Sequence, residues 1–132
     1  MQEAEIQQLI QSTIPFSSSL KFTVNKVDGE SSSVTFHADD NWTRAGGSIS
    51  GPFLMTLADA AMYAALLAHG EQHKVSFTSN LNIHFLRRST STEFHAQCEM
   101  IKLGKRLAVM EVKIDDGEGE RIAFVSGTYS IA

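Results

Sequence analysis

The chain has 132 residues and a mass of 14.5 kDa, the size of one domain with a single core. Hydrophobic residues make up 42% and charged residues 20%, which excludes a disordered chain. Fifteen acidic residues against eleven Lys and Arg give a formal net charge of −4, which argues against nucleic acid or an anionic membrane as the main partner. We therefore expect one globular domain over residues 1–132.

The cysteine count and the first residues bear on location. Cys98 is the only cysteine, so an intramolecular disulfide and a zinc site built on cysteine pairs are excluded. The first five residues lack a basic region followed by an apolar one, and no run approaches the roughly 18 apolar residues that a membrane span needs. We expect a cytoplasmic protein.

The first third of the chain predicts one helix and a hairpin. Isoleucines and leucines at three- and four-residue spacing predict a short amphipathic surface helix over 2–14, ended by Pro15. Residues 21–27 and 33–37 alternate apolar and polar side chains, and Asp28-Gly29 lies between them. This pattern predicts a β-hairpin.

The middle of the chain is a long apolar segment that follows a loop with three glycines. Residues 52–69 carry apolar side chains on nearly all sides of a helix, which predicts a buried central helix at about 51–69. Ser50 or Gly51 followed by Pro52 suits its start, and Gly70 suits its end.

The remainder reads as a meander of four strands, at 74–85, 94–100, 107–114 and 121–131. In the first of these, alternation places Thr78 opposite the apolar face that carries Leu81. A helix that is apolar all round needs cover on most sides, and a curved antiparallel sheet wrapped around it provides that cover. We predict an α+β hotdog fold whose uncovered helix surface and sheet edge are completed in a homodimer. A dimer of dimers stays open.

Asp59 is at odds with its surroundings, because it stands in the most apolar helix of the chain. Burial of an unpaired carboxylate costs several kcal/mol and raises its pKa toward that of a useful general base. The alternative is a solvated strip of the helix that Asp59 shares with Thr56 and Tyr63.

The segment 46–52 brings free backbone N–H groups and a positive helix end to one place, which suits an anion or a developing oxyanion. The alternative is a simple tight turn. The segment lacks the lysine of a phosphate-binding P-loop and the preceding strand of a dinucleotide-binding fingerprint.

Segments 46–52 and 57–61 together resemble the hotdog thioesterases of the phenylacetate-degradation (PaaI-type) group, which carry His-Gly-Gly at the helix start and an aspartate seven residues after the second glycine. Ser50-Gly51-Pro52 lies on His-Gly-Gly, which departs from the family at its first and third positions, in the form that some close relatives share. Residues 81–87, 103–109 and 127–129 resemble the later strands of the family.

The resemblance implies an acyl-CoA thioesterase without metal or redox cofactor. It implies that the Gly51 N–H holds the thioester oxygen and that Asp59, contributed across a dimer interface, acts as general base or nucleophile. Thr78 falls on the hydroxyl that helps to hold the attacking water. Ser50 is able to hydrogen-bond the thioester or to cap the helix.

Other polar residues are candidates for binding the substrate, acyl-CoA. Arg87, Arg88, Lys105 and Arg106 stand in two turns and suit the phosphates of coenzyme A, although solvated turn charges are an equal alternative. Asn41 and Arg44 precede the helix and suit the pocket lining, although Asn41 also suits the start of a turn. His84 and His95 have no second ligand at metal spacing, and Cys98 lies on an apolar strand face.

Two other functions stay open at this point. A non-catalytic acyl-CoA or acyl-ligand binding hotdog protein would keep Gly51 and the pocket but has no use for Asp59. A hotdog dehydratase or hydratase usually pairs its acid residue with a histidine, and the chain has no histidine between His37 and His69.

Overall fold

The computed structural model describes residues 1–14 and 19–131. Two helices and six strands follow one another as α1 (Glu3–Thr13), β1 (Lys21–Val27), β2 (Ser31–His37), α2 (Gly51–Leu67), β3 (Phe77–Phe85), β4 (Glu93–Leu103), β5 (Leu107–Asp116) and β6 (Arg121–Ser130). Short 3-10 turns stand at Asp40–Trp42 and Glu71–Val75. Pro15, the predicted end of the first helix, lies outside the described residues.

The six strands form one antiparallel sheet in the order β1-β2-β4-β5-β6-β3. The side chains of β4 and β5 alternate between buried and more exposed, as the sequence predicts for strands with one face on the core. The buried side chains of these strands face α2, of which eleven residues are buried. The α+β hotdog arrangement is confirmed.

Helix α2 begins where the sequence predicts. Ser50 is its N-cap, Gly51 its first residue and Pro52 its second, where the missing N–H of proline costs no helical hydrogen bond. The helix ends at Leu67, two residues earlier than predicted, and Gly70 follows with a φ of 134° that only glycine adopts freely.

Two predictions about the later strands are wrong. Residues 74–76 are not part of a strand, because the 3-10 turn after Gly70 runs to Val75, Ser76 caps it, and β3 begins at Phe77. The four strands do not form one meander either. Strands β4, β5 and β6 do, but β3 pairs with β6 at the far edge of the sheet.

A β-bulge in β3 changes the face on which Thr78 lies. Thr78 pairs with Tyr129, and the register slips by one residue before Asn80 pairs with Thr128 and Leu81 with Gly127. The extra residue cancels the strict alternation of the strand. Thr78 therefore shares the helix-facing side of the sheet with Leu81, which contradicts the predicted opposition.

The two edges of the sheet differ. At the β1 edge, the side-chain amide of Gln7 on α1 donates to the Phe22 carbonyl (3.0 Å) and accepts from the Val24 amide (3.0 Å). The Glu3 carboxylate accepts from the Val27 amide (3.1 Å). Helix α1 thus covers the β1 edge as a further strand would.

At the opposite edge, β3 pairs with β6 on one side only among the described residues. Its end residues Phe77 and Phe85 remain 58% and 53% exposed. Within the described part of the chain, no helix is both long and apolar enough to cross a membrane.

Candidate active site

Helix α2 has one strip that the sheet leaves partly uncovered. Pro52 and Met55 are exposed, and Thr56, Asp59 and Ala60 are half-buried. These positions recur at three- and four-residue spacing, which places them on one side of the helix. Asp59 therefore lies on an open strip with Thr56, as in the alternative reading, whereas Tyr63 is buried.

The Asp59 carboxylate is held by hydrogen bonds all the same. Its Oδ1 accepts from the Thr78 hydroxyl on β3 and from the Tyr129 hydroxyl on β6 (2.9 Å). Tyr129 also lies 3.2 Å from the Asp59 carbonyl oxygen. Sequence reasoning linked Thr78 to Asp59 only through the family resemblance, and it gave Tyr129 no role.

Tyr129 is a fully enclosed donor. Its side chain is 2% exposed, and burial first, then the nearby Asp59 charge, raises the pKa of the phenol far above its ordinary value. The ring stacks on Tyr63, with 6.2 Å between ring centroids, and the Tyr63 hydroxyl donates to the Lys74 carbonyl (2.7 Å). The phenol therefore keeps its proton and acts as a donor at any working pH.

The start of α2 is anchored on both sides. The Ser50 Oγ accepts from the Phe53 amide (3.3 Å), and the Ser50 amide donates to the Trp42 carbonyl (2.9 Å). The Ile49 amide donates to the Ser89 carbonyl (2.8 Å), which ties this loop to the segment after β3. A Cβ on Gly51 would meet the Phe85 ring at 3.3 Å, so the strand and the helix start approach closely here.

A cleft of about 490 Å³ opens beside Gly51. Three arginines line it together with apolar and small side chains: Arg44, Arg87, Arg88, Ser48, Ile49, Gly51, Leu54, Phe85 and Leu86. Arg87 forms an ion pair with Glu120 (3.1 Å), whereas neither Arg44 nor Arg88 has an ion-pair partner among the described residues. The cleft therefore combines an apolar wall with two guanidinium groups available for an anion.

The structure brings together only part of the predicted substrate-binding set. Lys105 and Arg106 lie at the other end of the sheet, because the Arg106 carbonyl accepts from Ile131 whereas Leu86 donates to Ile122. Nine residues of β6 separate these two points, about 30 Å. The two basic turns therefore do not form one cluster within a chain. Asn41 lies in the 3-10 turn, where its backbone N–H donates to the Asp39 carboxylate. It does not line the cleft.

Gly51 and Asp59 also lie apart. Gly51 lies beside Phe85 at the end of β3, whereas Asp59 contacts Thr78 near the start of that strand. Asp59 does not line the cleft beside Gly51. Eight residues of helix separate the two, about 12 Å, which is too far for both to reach one carbonyl group.

The cysteine and the two histidines considered as candidates pack against other side chains of the fold. Cys98 is 2% exposed in the core, and burial raises the pKa of its thiol to about 12. His84 stacks on Phe124, and His95 contacts Thr35 and Glu93. Across residues 1–14 and 19–131, His, Cys, Asp and Glu form no group of three that could hold a metal ion.

Similar proteins are found both by sequence and by structure. A Thermoplasma acidophilum protein named as a candidate esterase is 25% identical over 88% of this chain and 87% of its own length. A candidate thioesterase of Silicibacter sp. TM1040 superposes with a TM-score of 0.88 and 26% identity, covering 100% of this chain and 92% of the other.

A third protein, a hypothetical thioesterase of Streptococcus pneumoniae whose structure contains coenzyme A, superposes with a TM-score of 0.80 and 18% identity over 98% of this chain and 95% of that one. The family profile of the thioesterase superfamily matches residues 46–123, which is more than half of the chain and includes the helix start, Asp59, Thr78 and the arginines after β3. The chain therefore belongs to the thioesterase superfamily.

Proposed function

We propose that this protein is an acyl-CoA thioesterase of the PaaI-type group, with Asp59 as general base or nucleophile. One observation carries the proposal: a carboxylate stands on the open strip of an otherwise buried helix and is held by hydroxyl donors from two strands. The hydrogen bonds found for this carboxylate among the described residues all go to Oδ1. Its Oδ2 is therefore the oxygen that faces a reactant.

The chemistry needs few groups. With Asp59 as base, the carboxylate takes a proton from water while the water oxygen attacks the thioester carbon, and Thr78 helps to orient that water. The carbonyl oxygen becomes an oxyanion, for which the Gly51 N–H and the Ser50 hydroxyl are the donors. The carbon–sulfur bond then breaks, the acid is released and the CoA thiolate takes up a proton. With Asp59 as nucleophile, water instead hydrolyses an anhydride intermediate.

A second copy of the chain would complete this site. The outer edge of β3 and the open strip of α2 adjoin, and both carry exposed apolar side chains such as Phe77, Phe85 and Met55. If the β3 strands of two copies pair antiparallel, the Thr78 end of one lies against the Phe85 end of the other. Asp59 of each chain would then approach Gly51 of its partner.

The same pairing would also bring one basic turn of each chain near the other basic turn of its partner. Lys105 and Arg106 lie at the Phe77 end of the sheet and Arg88 at the Phe85 end, so antiparallel copies would bring them to the same end. There they suit the phosphates of coenzyme A, together with Arg44. The coenzyme A in the similar Streptococcus structure supports this substrate class.

The test is release of free thiol from a panel of aliphatic and aromatic acyl-CoA thioesters. We expect hydrolysis of at least one member, and Asp59→Asn should lower kcat on the order of a hundredfold or more with an unchanged melting curve. Glu118→Gln, which neutralises an exposed turn carboxylate, is the control and should leave the rate unchanged. Matched acyl-pantetheine substrates, which lack the nucleotide, should show a higher KM.

The second candidate is a binding protein without catalysis, favoured by the absence of the family's histidine at Ser50. It predicts that the protein binds acyl-CoA without releasing thiol. Full activity of Asp59→Asn would exclude the proposed mechanism, and tight binding without turnover of any thioester would favour the binding protein.

A further inference from the structure

Resting on the proposed function, we infer that Tyr129 is a positioning residue of this site: its buried hydroxyl holds the Asp59 carboxylate by Oδ1 and so fixes Oδ2 toward the reactant. The inference starts from the hydrogen bond of 2.9 Å between the Tyr129 hydroxyl and Asp59 Oδ1. The ring stands on β6 and the carboxylate on α2, so one contact ties helix to sheet at the reactive group.

The two hydroxyl groups that donate to Asp59 Oδ1 differ in how tightly their side chains are held. Thr78 stands on β3, and its side chain is solvent-exposed in the single chain. Tyr129 is 2% exposed on an inner strand, between β5 and β3, and its ring is stacked on Tyr63. A donor held this firmly keeps its direction when a substrate enters, whereas the less buried threonine is able to turn toward the water. We therefore assign orientation of the carboxylate to Tyr129.

The contacts of the carboxylate are simple enough for a kinetic test. Among the described residues, its hydrogen-bond donors are the Thr78 and Tyr129 hydroxyls, and no ion pair includes Asp59. Removal of the Tyr129 hydroxyl should therefore disturb the direction of the carboxylate while the groups that bind the substrate stay in place.

The kinetic test compares Tyr129→Phe with Tyr63→Phe as matched control. Each loses one buried hydroxyl, but the Tyr63 hydroxyl bonds to the Lys74 carbonyl and does not touch Asp59. For Tyr129→Phe we expect kcat to fall about tenfold or more and KM to change little. Tyr63→Phe should keep the wild-type kcat and KM. Identical kinetics for the two variants would overturn the inference.

A second measurement needs no activity and keeps the Tyr129 hydroxyl. The chain has two tyrosines, so 3-fluorotyrosine incorporated into the Tyr63→Phe chain labels Tyr129 alone. Its fluorine resonance should move in the Asp59→Asn chain, because the Tyr129 hydroxyl then loses its carboxylate acceptor. If the resonance is the same with and without Asp59→Asn, the contact is refuted even if the protein hydrolyses thioesters. If the resonance responds to Asp59→Asn but the protein hydrolyses no thioester, the proposed function is refuted and the contact stands.

Discussion

In the proposed function, Ser50 combines two tasks in one hydroxyl. Its Oγ accepts from the Phe53 amide and so caps α2. Its hydroxyl hydrogen is the proposed donor to the thioester oxygen. A histidine, as in the family motif, has no comparable way to cap with a short side-chain oxygen. Serine at this position therefore gives the helix a stable start and, in the proposed mechanism, would keep one donor for the thioester.

Replacement of Ser50 separates the two tasks. Ser50→Ala should lower the free energy of unfolding by about 1 kcal/mol, because the cap is lost, and should also lower kcat. Ser50→Asp restores the cap acceptor without a donor, so stability should return while kcat stays low. Denaturant unfolding and thiol release measure the two effects. An aspartate variant with wild-type kcat would show that Ser50 only caps.

The site residues differ in how far the sequence reveals them. Asp59 is conspicuous because it interrupts an apolar helix, and Gly51 because it stands at the helix start. Tyr129 gives no such signal: its hydroxyl meets a carboxylate 70 positions away, and buried tyrosines are common in cores. Thr78 is misplaced by strict alternation, because one unpaired residue at the bulge reverses the face and no local residue pattern marks it.

At the scale of elements, side chains of α1 cover the β1 edge of the sheet by making hydrogen bonds that a neighbouring strand would otherwise make. The Gln7 amide offers a donor and an acceptor at the spacing of a neighbouring strand, and Ile6 and Ile10 are buried on the same helix. The periodicity of α1 predicts its apolar side. It does not predict this contact, because Gln7 and Gln8 look alike in the sequence and only the docked helix distinguishes them.

We expect Gln7→Ala to lower the free energy of unfolding by about 1–3 kcal/mol, because two partly buried backbone groups of β1 lose their partner. Gln8→Ala is the control, since Gln8 is exposed and an alanine suits a helix. Urea unfolding of the three chains measures the difference. Equal midpoints would show that water replaces the Gln7 amide without cost.

The same limit explains the strand order. Local patterns locate β1, β2 and α2 nearly to the residue, since turn residues and helix caps are short-range signals. They cannot say that β3 pairs with β6, because the alternation of a strand describes its faces and not its neighbours. The separation of the two basic turns has a simpler cause: β4 runs from one turn to the other, so any antiparallel order places them at opposite ends of the sheet.

For the whole molecule, the proposed dimer makes a prediction about mixed subunits. A chain with Asp59→Asn and a chain with a bulky residue at Gly51 should each be inactive alone. If sites are shared, a mixed dimer has one site with the intact Gly51 of the first chain and the intact Asp59 of the second, so part of the activity should return. Native mass spectrometry verifies subunit exchange. Exchange without recovered activity would contradict a shared site.

The core also makes stability depend on alkaline pH. The pKa of the buried Cys98 thiol is about 12, against an ordinary value of 9.0, so the unfolded chain loses this proton at lower pH than the folded one. The thiol's contribution to stability is full below about pH 9 and declines as the pH rises toward 12. The melting temperature should fall between pH 8 and 10.5, and less so for Cys98→Ala. Equal falls in both chains would assign the loss to other groups.

The cover that Gln7 and Glu3 give β1 bears on how copies of the chain add together. A sheet with two unpaired edge strands can add a further sheet at each edge, and every addition leaves a new unpaired edge, so assembly has no natural stop. This sheet has one edge covered by α1 and one unpaired edge. When two copies join at their unpaired edges, both remaining edges are covered, and edge-to-edge addition stops at two copies. The short helix at the start of the chain would thus decide whether pairing closes into a finite particle or continues into a fibre.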